Sequence, residues 1–335
     1  MTLSQITGET RTILKWGGII IGFLILLFFI LKVKEILFPA PPPPPTVGFG
    51  KLPSPEFPKI AANKNLTYTL DTITGSLPSF PISQKVFKMV QTQPDLLSLP
   101  RASEKAKSLG FESKPDVVSE NVYQWKNTEG KTLTMNILNF NFNFSTNYLS
   151  NPSIANFSKD KNLAISTSVD FLQRMGLLYE DVDQTKTKTS FFEIKNFNIV
   201  PVISLSSAQI IRVEFFQKSF NGLPIYYSSI SPLNFLVRTE RDEPKVVEAN
   251  FFFQKPSNSF STYPLKSARQ AYDALKNGQG YISTIPPDSR AAIKKVSLGY
   301  YISDKKQDYI LPIVVFEGDN FQAYVAAITD EWVNK

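Results

Sequence analysis

The run from Trp16 to Leu31, WGGIIIGFLILLFFIL, carries no charge and restricts this chain more than any other stretch. As a helix rising about 1.5 Å per residue it spans roughly 24 Å, close to a bilayer core. Ile13, Leu14 and Val33 extend its apolar length. Lys15, Lys32 and Lys34 stand where ammonium groups snorkel to the interfaces, and Trp16 stands where an interfacial aromatic is favoured. A run apolar on every side and followed by prolines reads as a membrane span rather than a core helix. A cleaved signal peptide fits poorly, because Lys32, Lys34 and Glu35 occupy the place of small cleavage-site residues. The expectation is an uncleaved signal-anchor over 13–37, after a short cytoplasmic tail over 1–12.

Composition narrows the rest by exclusion. The 335 residues carry a net charge of +7, yet contain no cysteine and no histidine. Disulfides, thiolate metal sites, Ser-His-Asp triads, HExxH zinc sites and imidazole acid–base chemistry are therefore all ruled out. A cystine-free exported body points to a bacterial cell envelope. Part of the basic excess belongs to the first 51 residues, where Arg11, Lys15, Lys32, Lys34 and Lys51 face only Glu9 and Glu35. No Lys/Arg stripe follows, so nucleic acid is not an expected partner. Charges flank the anchor on both sides, and long C-terminal domains cross largely regardless of such a balance. The expected topology is single-pass at the cell membrane, N-terminus cytoplasmic and body extracytoplasmic.

Beyond the anchor, residues 38–60 form a proline-rich spacer. Pro41 to Pro45 predict a polyproline II rod, and Pro53, Pro55 and Pro58 an extended lead-in. A period of two then begins at Leu66, Tyr68 and Leu70. Helices are expected after Ser98 (Ala102, Ala106 and Leu109 inward, Gly110 as stop), from Asp160 (Ile165, Val169 and Leu172 inward, Gly176 as stop), and from Pro264 (Ala268, Tyr272 and Leu275 inward, Gly278 beyond). Strands follow each. A parity change between Ile137 and Leu138 predicts a bulge, and Asn221-Gly222 predicts a hairpin. The fold class expected is α+β: antiparallel sheets with helices packed on one face, a helix-plus-strands unit met three times. The unperiodic Ser/Asn-rich stretch 145–162 suggests a boundary between an N-terminal subdomain, 61–150, and a C-terminal one, 151–335.

The C-terminal third carries a resemblance. Ala268 to Leu275, Leu298-Gly299-Tyr300-Tyr301, Pro312 and Tyr324-Val325-Ala326-Ala327-Ile328-Thr329 resemble the end of the YycH/YycI family, and Phe220 to Ile225 is compatible with its hairpin and with PepSY-like domains. The resemblance covers roughly residues 210–330. Ala326 and Asp330 depart from the Asn and Gly that the family favours there. It implies a membrane-anchored, non-enzymatic extracytoplasmic regulator whose partner is a cell-wall sensor histidine kinase.

The residues themselves offer little catalysis. Ser158-Lys159-Asp160-Lys161 and Ser303-Asp304-Lys305-Lys306 match S-x-x-K without S-D-N or K-T-G companions. Glu180 to Asp183 and Glu240 to Glu243 lack calcium-loop spacing and read as solvated loops. No catalytic, cofactor-binding or metal-binding residue is expected. The anchor flanks are Lys15, Trp16, Lys32 and Lys34, and the candidate interaction surface is Tyr226, Tyr227, Tyr300 and Tyr301. The leading expectation is a regulatory or scaffolding protein that binds another envelope membrane protein. The alternative is an envelope polysaccharide-binding protein, with the alternating Asn139 to Phe144 strand or the tyrosine pairs as an aromatic platform, although such phenylalanines are more often core. An envelope hydrolase comes third.

Overall fold

The apolar N-terminal run lies within one helix, α1 (Leu3–Leu37). The computed structural model describes residues 3–37, 43–58, 66–150, 155–156, 160–228, 230–240 and 243–334. Pro39, Pro41 and Pro42 of the proline run, the side chain of Lys15, Ser158 and the Arg241-Asp242 pair lie outside the described residues. The chain divides into two compact units, Met1–Pro44 and Pro45–Lys335. In the first, Trp16 and the described large apolar side chains from Ile19 to Val33 are exposed, as are Lys32 and Lys34. Among the described residues no helix is long and apolar enough to cross a membrane. In α1 the side chains described without a break run from 19 to 34.

The second unit is mixed α+β and mostly sheet. Its first elements are strands β1 (Thr67–Leu70) and β2 (Ser83–Met89), helix α2 (Ser98–Lys107), and strands β3 (Asp116–Ser119), β4 (Val122–Lys126), β5 (Thr132–Asn136), β6 (Phe142–Ser145) and β7 (Ala155–Asn156). Helix α3 (Lys161–Arg174) leads into β8 (Val182–Lys195), β9 (Asn198–Val202), β10 (Ile210–Gln217), β11 (Ile225–Tyr226), β12 (Leu233–Glu240), β13 (Glu243–Phe251) and β14 (Pro256–Pro264). Helix α4 (Ala268–Lys276) precedes β15 (Tyr281–Thr284), β16 (Arg290–Ile293), β17 (Lys295–Tyr301), β18 (Tyr309–Gly318) and β19 (Phe321–Ala326).

Two sheets organise these strands. A ten-stranded antiparallel sheet runs β3-β4-β5-β6-β13-β12-β10-β8-β9, with β7 beside β12. A seven-stranded sheet runs β11-β17-β18-β19-β15 and gains β2 on β18 and β14 on β2. A small parallel pair joins β1 to β16. The large sheet is thus a single excursion between β2 and β14, interrupted only by β11, which crosses to lie parallel to β17.

This topology replaces the expected boundary near residue 150. Strand β6, before it, pairs with β13, far beyond it, in the register Phe142↔Phe251 and Phe144↔Ala249. The reason lies in the core. Phe142 and Phe144 bury against Phe171 of α3, at 6.1 and 5.2 Å between ring centres, and Phe171 also meets Phe235 of β12. Neither half of the chain could close this core alone. Helices α2 and α3 share it, so the three helix-plus-strands units build two helix-covered layers, not three. Helix α4 covers the smaller sheet, with Ala271, Tyr272 and Leu275 packed among Val314, Phe316 and Val325.

Local chemistry accounts for the helix ends. Asp160 caps α3 by accepting from the Asn162 N–H at 2.7 Å. Ser267 and Gln270 form a reciprocal capping box on α4. Pro264 does not start α4; it closes β14, where its missing N–H is tolerated. In α3 the buried face is centred on Ala164, Ser168 and Phe171, one residue round from the expected Ile165 and Val169, which are only half-buried. A serine marks the middle of that face because its hydroxyl donates back to the Ala164 carbonyl at 2.9 Å and is satisfied without water. The parity change at Ile137 marks a tight turn rather than a bulge, since β5 and β6 pair antiparallel on either side of it. Asn221-Gly222 turns as expected, with both residues at positive φ, but the strands it links enter different sheets.

The spacer ends earlier than residue 60. From Thr46 the chain is strapped to the body: the Gly48 N–H donates to Ser261 Oγ at 2.6 Å, the Phe49 N–H donates to the Tyr263 hydroxyl, and that hydroxyl donates to the Gly50 carbonyl. Leu52 is fully buried and pairs with Val333 in a parallel bridge. Phe57 then enters a ring cluster with Tyr281, Tyr301 and Tyr324.

Truncating Phe171 to alanine removes the ring that joins both sides of the large core and should cost about 3–5 kcal/mol in denaturant unfolding. Phe197→Ala, at an exposed turn between β8 and β9, should change stability by less than about 0.5 kcal/mol.

Candidate binding cleft

A concavity of about 580 Å³ lies where the two sheets meet. Five segments build it: the end of β2 (Met89 to Thr92), the β5–β6 turn (Asn136 to Asn141), the loop after α3 (Tyr179 to Asp181), the β13–β14 crossover (Phe252 to Lys255), and Lys306-Gln307 of the β17–β18 turn, with Asn121 beside them.

Side-chain amides fix these segments to one another. The Gln254 amide donates to the carbonyls of Ser303 (3.1 Å) and Lys305 (2.9 Å), while its oxygen accepts the Gln307 N–H at 3.0 Å. Gln307 in turn accepts from the Ser303 N–H and donates to the Tyr301 and Tyr309 carbonyls. In the β5–β6 turn, Asn136 Oδ1 accepts the Leu138 N–H and Asn139 Oδ1 accepts the Asn141 N–H. Each is the short-range side-chain bond by which asparagine shapes a turn. Asn141 Oδ1 accepts the Phe253 N–H at 2.9 Å and so ties turn to crossover.

Strain marks this wall. Phe140 sits at φ 59°, in the left-handed region where a bulky side chain is costly by about 1–2 kcal/mol. Asn141, next to it, is 7% exposed, and its Nδ2 has no hydrogen-bond partner among the described residues. Leaving such a donor buried and unpaired costs about 1–3 kcal/mol. Opposite chemistry comes from rings: half-buried Phe140, Tyr179 and Phe252 offer apolar faces. Tyr179 leans on Phe253 with ring centres 4.7 Å apart, and burial pushes its phenol pKa up. Charges are balanced, Glu180 and Asp181 against Lys255 and Lys306, with Asp181 and Lys255 paired at 3.4 Å. The two carboxylates are neighbours on one loop rather than a pair opposed across a scissile bond. The arrangement can hydrogen-bond and stack.

The tyrosine pairs do not form an exposed surface. Tyr227, Tyr300 and Tyr301 are buried, at 4%, 0% and 2% exposure, and Tyr226 is half-buried. Strand β17 lies inside its sheet and β11 at its edge, and the phenols of Tyr300 and Tyr227 turn inward: the Tyr300 hydroxyl donates to the Lys85 carbonyl at 2.7 Å, and Tyr227 exchanges bonds with Gln217. Gly299 of the LGYY run has a packing role, since a Cβ there would lie 2.5 Å from the Tyr226 ring. Phe142 and Phe144 are core, so the Asn-Phe strand splits: these two phenylalanines stabilise the fold while Asn139, Phe140 and Asn141 line the cleft. In the S-x-x-K match at Ser303, the serine is buried and its Oγ accepts the Lys305 N–H, a turn bond, while Lys306 is exposed. Trp16, Lys32 and Lys34 of the anchor flanks are exposed on α1. Sequence reasoning missed Gln254 and Gln307. The only signal was the break of alternation in Phe251-Phe252-Phe253, which marks a chain leaving its sheet.

Burial raises the phenol pKa of Tyr227, Tyr300, Tyr301 and Tyr324 above the ordinary 10.0. The fold therefore favours their neutral form. Stability should be intact below about pH 10 and lost as pH rises beyond it, with tyrosinate absorbance and loss of far-UV signal appearing together in an alkaline titration. Tyr300→Phe, which removes a bonded hydroxyl, should cost about 1 kcal/mol or slightly more. Tyr301→Phe should be neutral or stabilising, because that hydroxyl is buried without a partner.

No family model matches the chain, and no curated protein matches it. Among solved structures, an uncharacterized protein from Eubacterium rectale ATCC 33656 aligns at 13% identity over 79% of this chain and 88% of its own, with a TM-score of 0.40.

Proposed function

We propose that this chain is a single-pass protein of a bacterial cell membrane whose extracytoplasmic body, non-enzymatic, regulates or scaffolds another envelope membrane protein. The observation that carries the tether is α1: its run of large apolar side chains faces outward on all sides, with Phe23 and Phe29 each 64% exposed, an arrangement water does not favour and acyl chains do. The N-terminus is cytoplasmic in this reading. The YycH/YycI resemblance belongs to the same proposal and makes a sensor histidine kinase the first partner to test.

The partner surface is an edge of the large sheet. Strand β3 is exposed along its length, with Val117 at 69% and Val118 at 56%, and among the described residues it pairs only with β4. An unpaired edge carrying apolar side chains suits addition of an extended strand. The opposite edge, β9, contains Pro201, which resists such pairing. Envelope polysaccharide is the second reading, favoured by the amide- and ring-lined cleft.

Protease added to intact cells should digest the body while sparing the tail, and a photo-crosslinker at position 117 should capture a defined membrane protein. Val118→Lys should abolish that capture without altering thermal unfolding. A body protected until the membrane is breached would overturn the topology.

A further inference from the structure

We infer that the cleft between the two sheets is a binding site for an uncharged, hydroxyl-rich ligand, a segment of neutral glycan. The inference rests on the reading of the body as a binding module and is independent of which protein docks at β3.

The cleft falls in the size range of about 300–1,000 Å³ typical of small-ligand sites. Its polar lining is dominated by amides, and Gln91, Asn121 and Asn139 are not consumed in the network that Gln254 and Gln307 form. An amide offers donors and an acceptor on one flat group, which matches a hydroxyl that both donates and accepts. A carboxylate-bearing or phosphorylated ligand would call for unbalanced cations. Here two lysines face two carboxylates, and Lys255 is engaged by Asp181. The half-buried rings of Phe140, Tyr179 and Phe252 supply apolar faces of the kind that pack against the C–H side of a pyranose.

A second observation lies in the wall itself. Asn141 is held by the Phe253 N–H on its oxygen, and its amide nitrogen is the buried donor of this wall without a protein acceptor. Beside it Phe140 keeps a left-handed backbone that glycine would adopt freely. Strain of this kind persists where surrounding structure holds it, and it collects at ligand sites. Phe140 lines the cleft in that conformation, with the Lys105 ammonium 4.8 Å from its ring centre. A peptide is a weaker fit, because the walls are side chains and turns rather than a free strand edge.

The test uses the full chain in detergent micelles and a panel of neutral oligosaccharides of glucose, mannose, galactose and N-acetylglucosamine. Charged polyuronates and unstructured peptides serve as controls. At least one neutral oligosaccharide should bind, with affinity unchanged as salt rises from about 50 to about 500 mM. Phe140→Gly relaxes the backbone but removes a ring packed on the large core and beneath Lys105; with the variant shown folded by its far-UV signal, it should weaken binding roughly tenfold or more. Gln91→Ala with Asn139→Ala should weaken it too, while Val118→Lys should not. Absence of neutral-glycan binding by the folded chain, binding only to peptides or polyuronates, or binding indifferent to Phe140→Gly would each overturn the site. Release of new reducing ends from a bound oligosaccharide would instead overturn the non-enzymatic reading and leave the site standing.

Discussion

One buried side chain, Gln254, holds the two sheets of the body in register. It sits in the strand-to-strand crossover, where the backbone leaves the large sheet and has no ladder partner for its polar groups. Its amide reaches three groups of the 303–307 turn, and its own carbonyl accepts the Gln217 amide at 3.0 Å. Without these bonds the turn and the crossover would bury unpaired amides and carbonyls, each costly. The cleft follows from this geometry. Two twisted sheets meeting at a polar hinge cannot close completely, and the gap inherits the hinge's amide character.

Around that hinge the core is built from rings. The large sheet relies on phenylalanines, which need only volume. The smaller sheet and its surroundings use tyrosines, with the Tyr300 hydroxyl placed on a carbonyl of β2 and that of Tyr263 on the Gly50 carbonyl of the strap. A tyrosine in such a position buries its ring and satisfies a strand end at the same time. The price is sensitivity to alkali and intolerance of any change that turns the ring.

Periodicity made the helices legible, along with most strands of the large sheet. Ala102, Ala106 and Gly110 bound α2 as expected, and Leu133 to Ile137 alternate as β5 does. Strands β2 and β14 escaped notice because Ser83-Gln84-Lys85 and Ser257-Asn258-Ser259 carry no apolar alternation; their pairing is set by partners far away in sequence. The same distance hid the topology. That β6 would pair with β13 cannot be read from either strand, only from the shared need to cover Phe171. Of the candidate site, the Asn139 to Asn141 stretch stood out as unusual. The tyrosine pairs misled because adjacent tyrosines alternate in and out only on a strand with one wet face, and β17 is covered on both.

The strap over Thr46 to Leu52 brings the beginning of the body against its end, with the Leu52 N–H donating to the Trp332 carbonyl and the Asn334 N–H to that of Leu52. Because Leu52 is fully buried and bonded through both its N–H and its carbonyl, loss of the Trp332 to Asn334 segment would leave both groups unpaired, so the first and last described segments of the body are stabilised together.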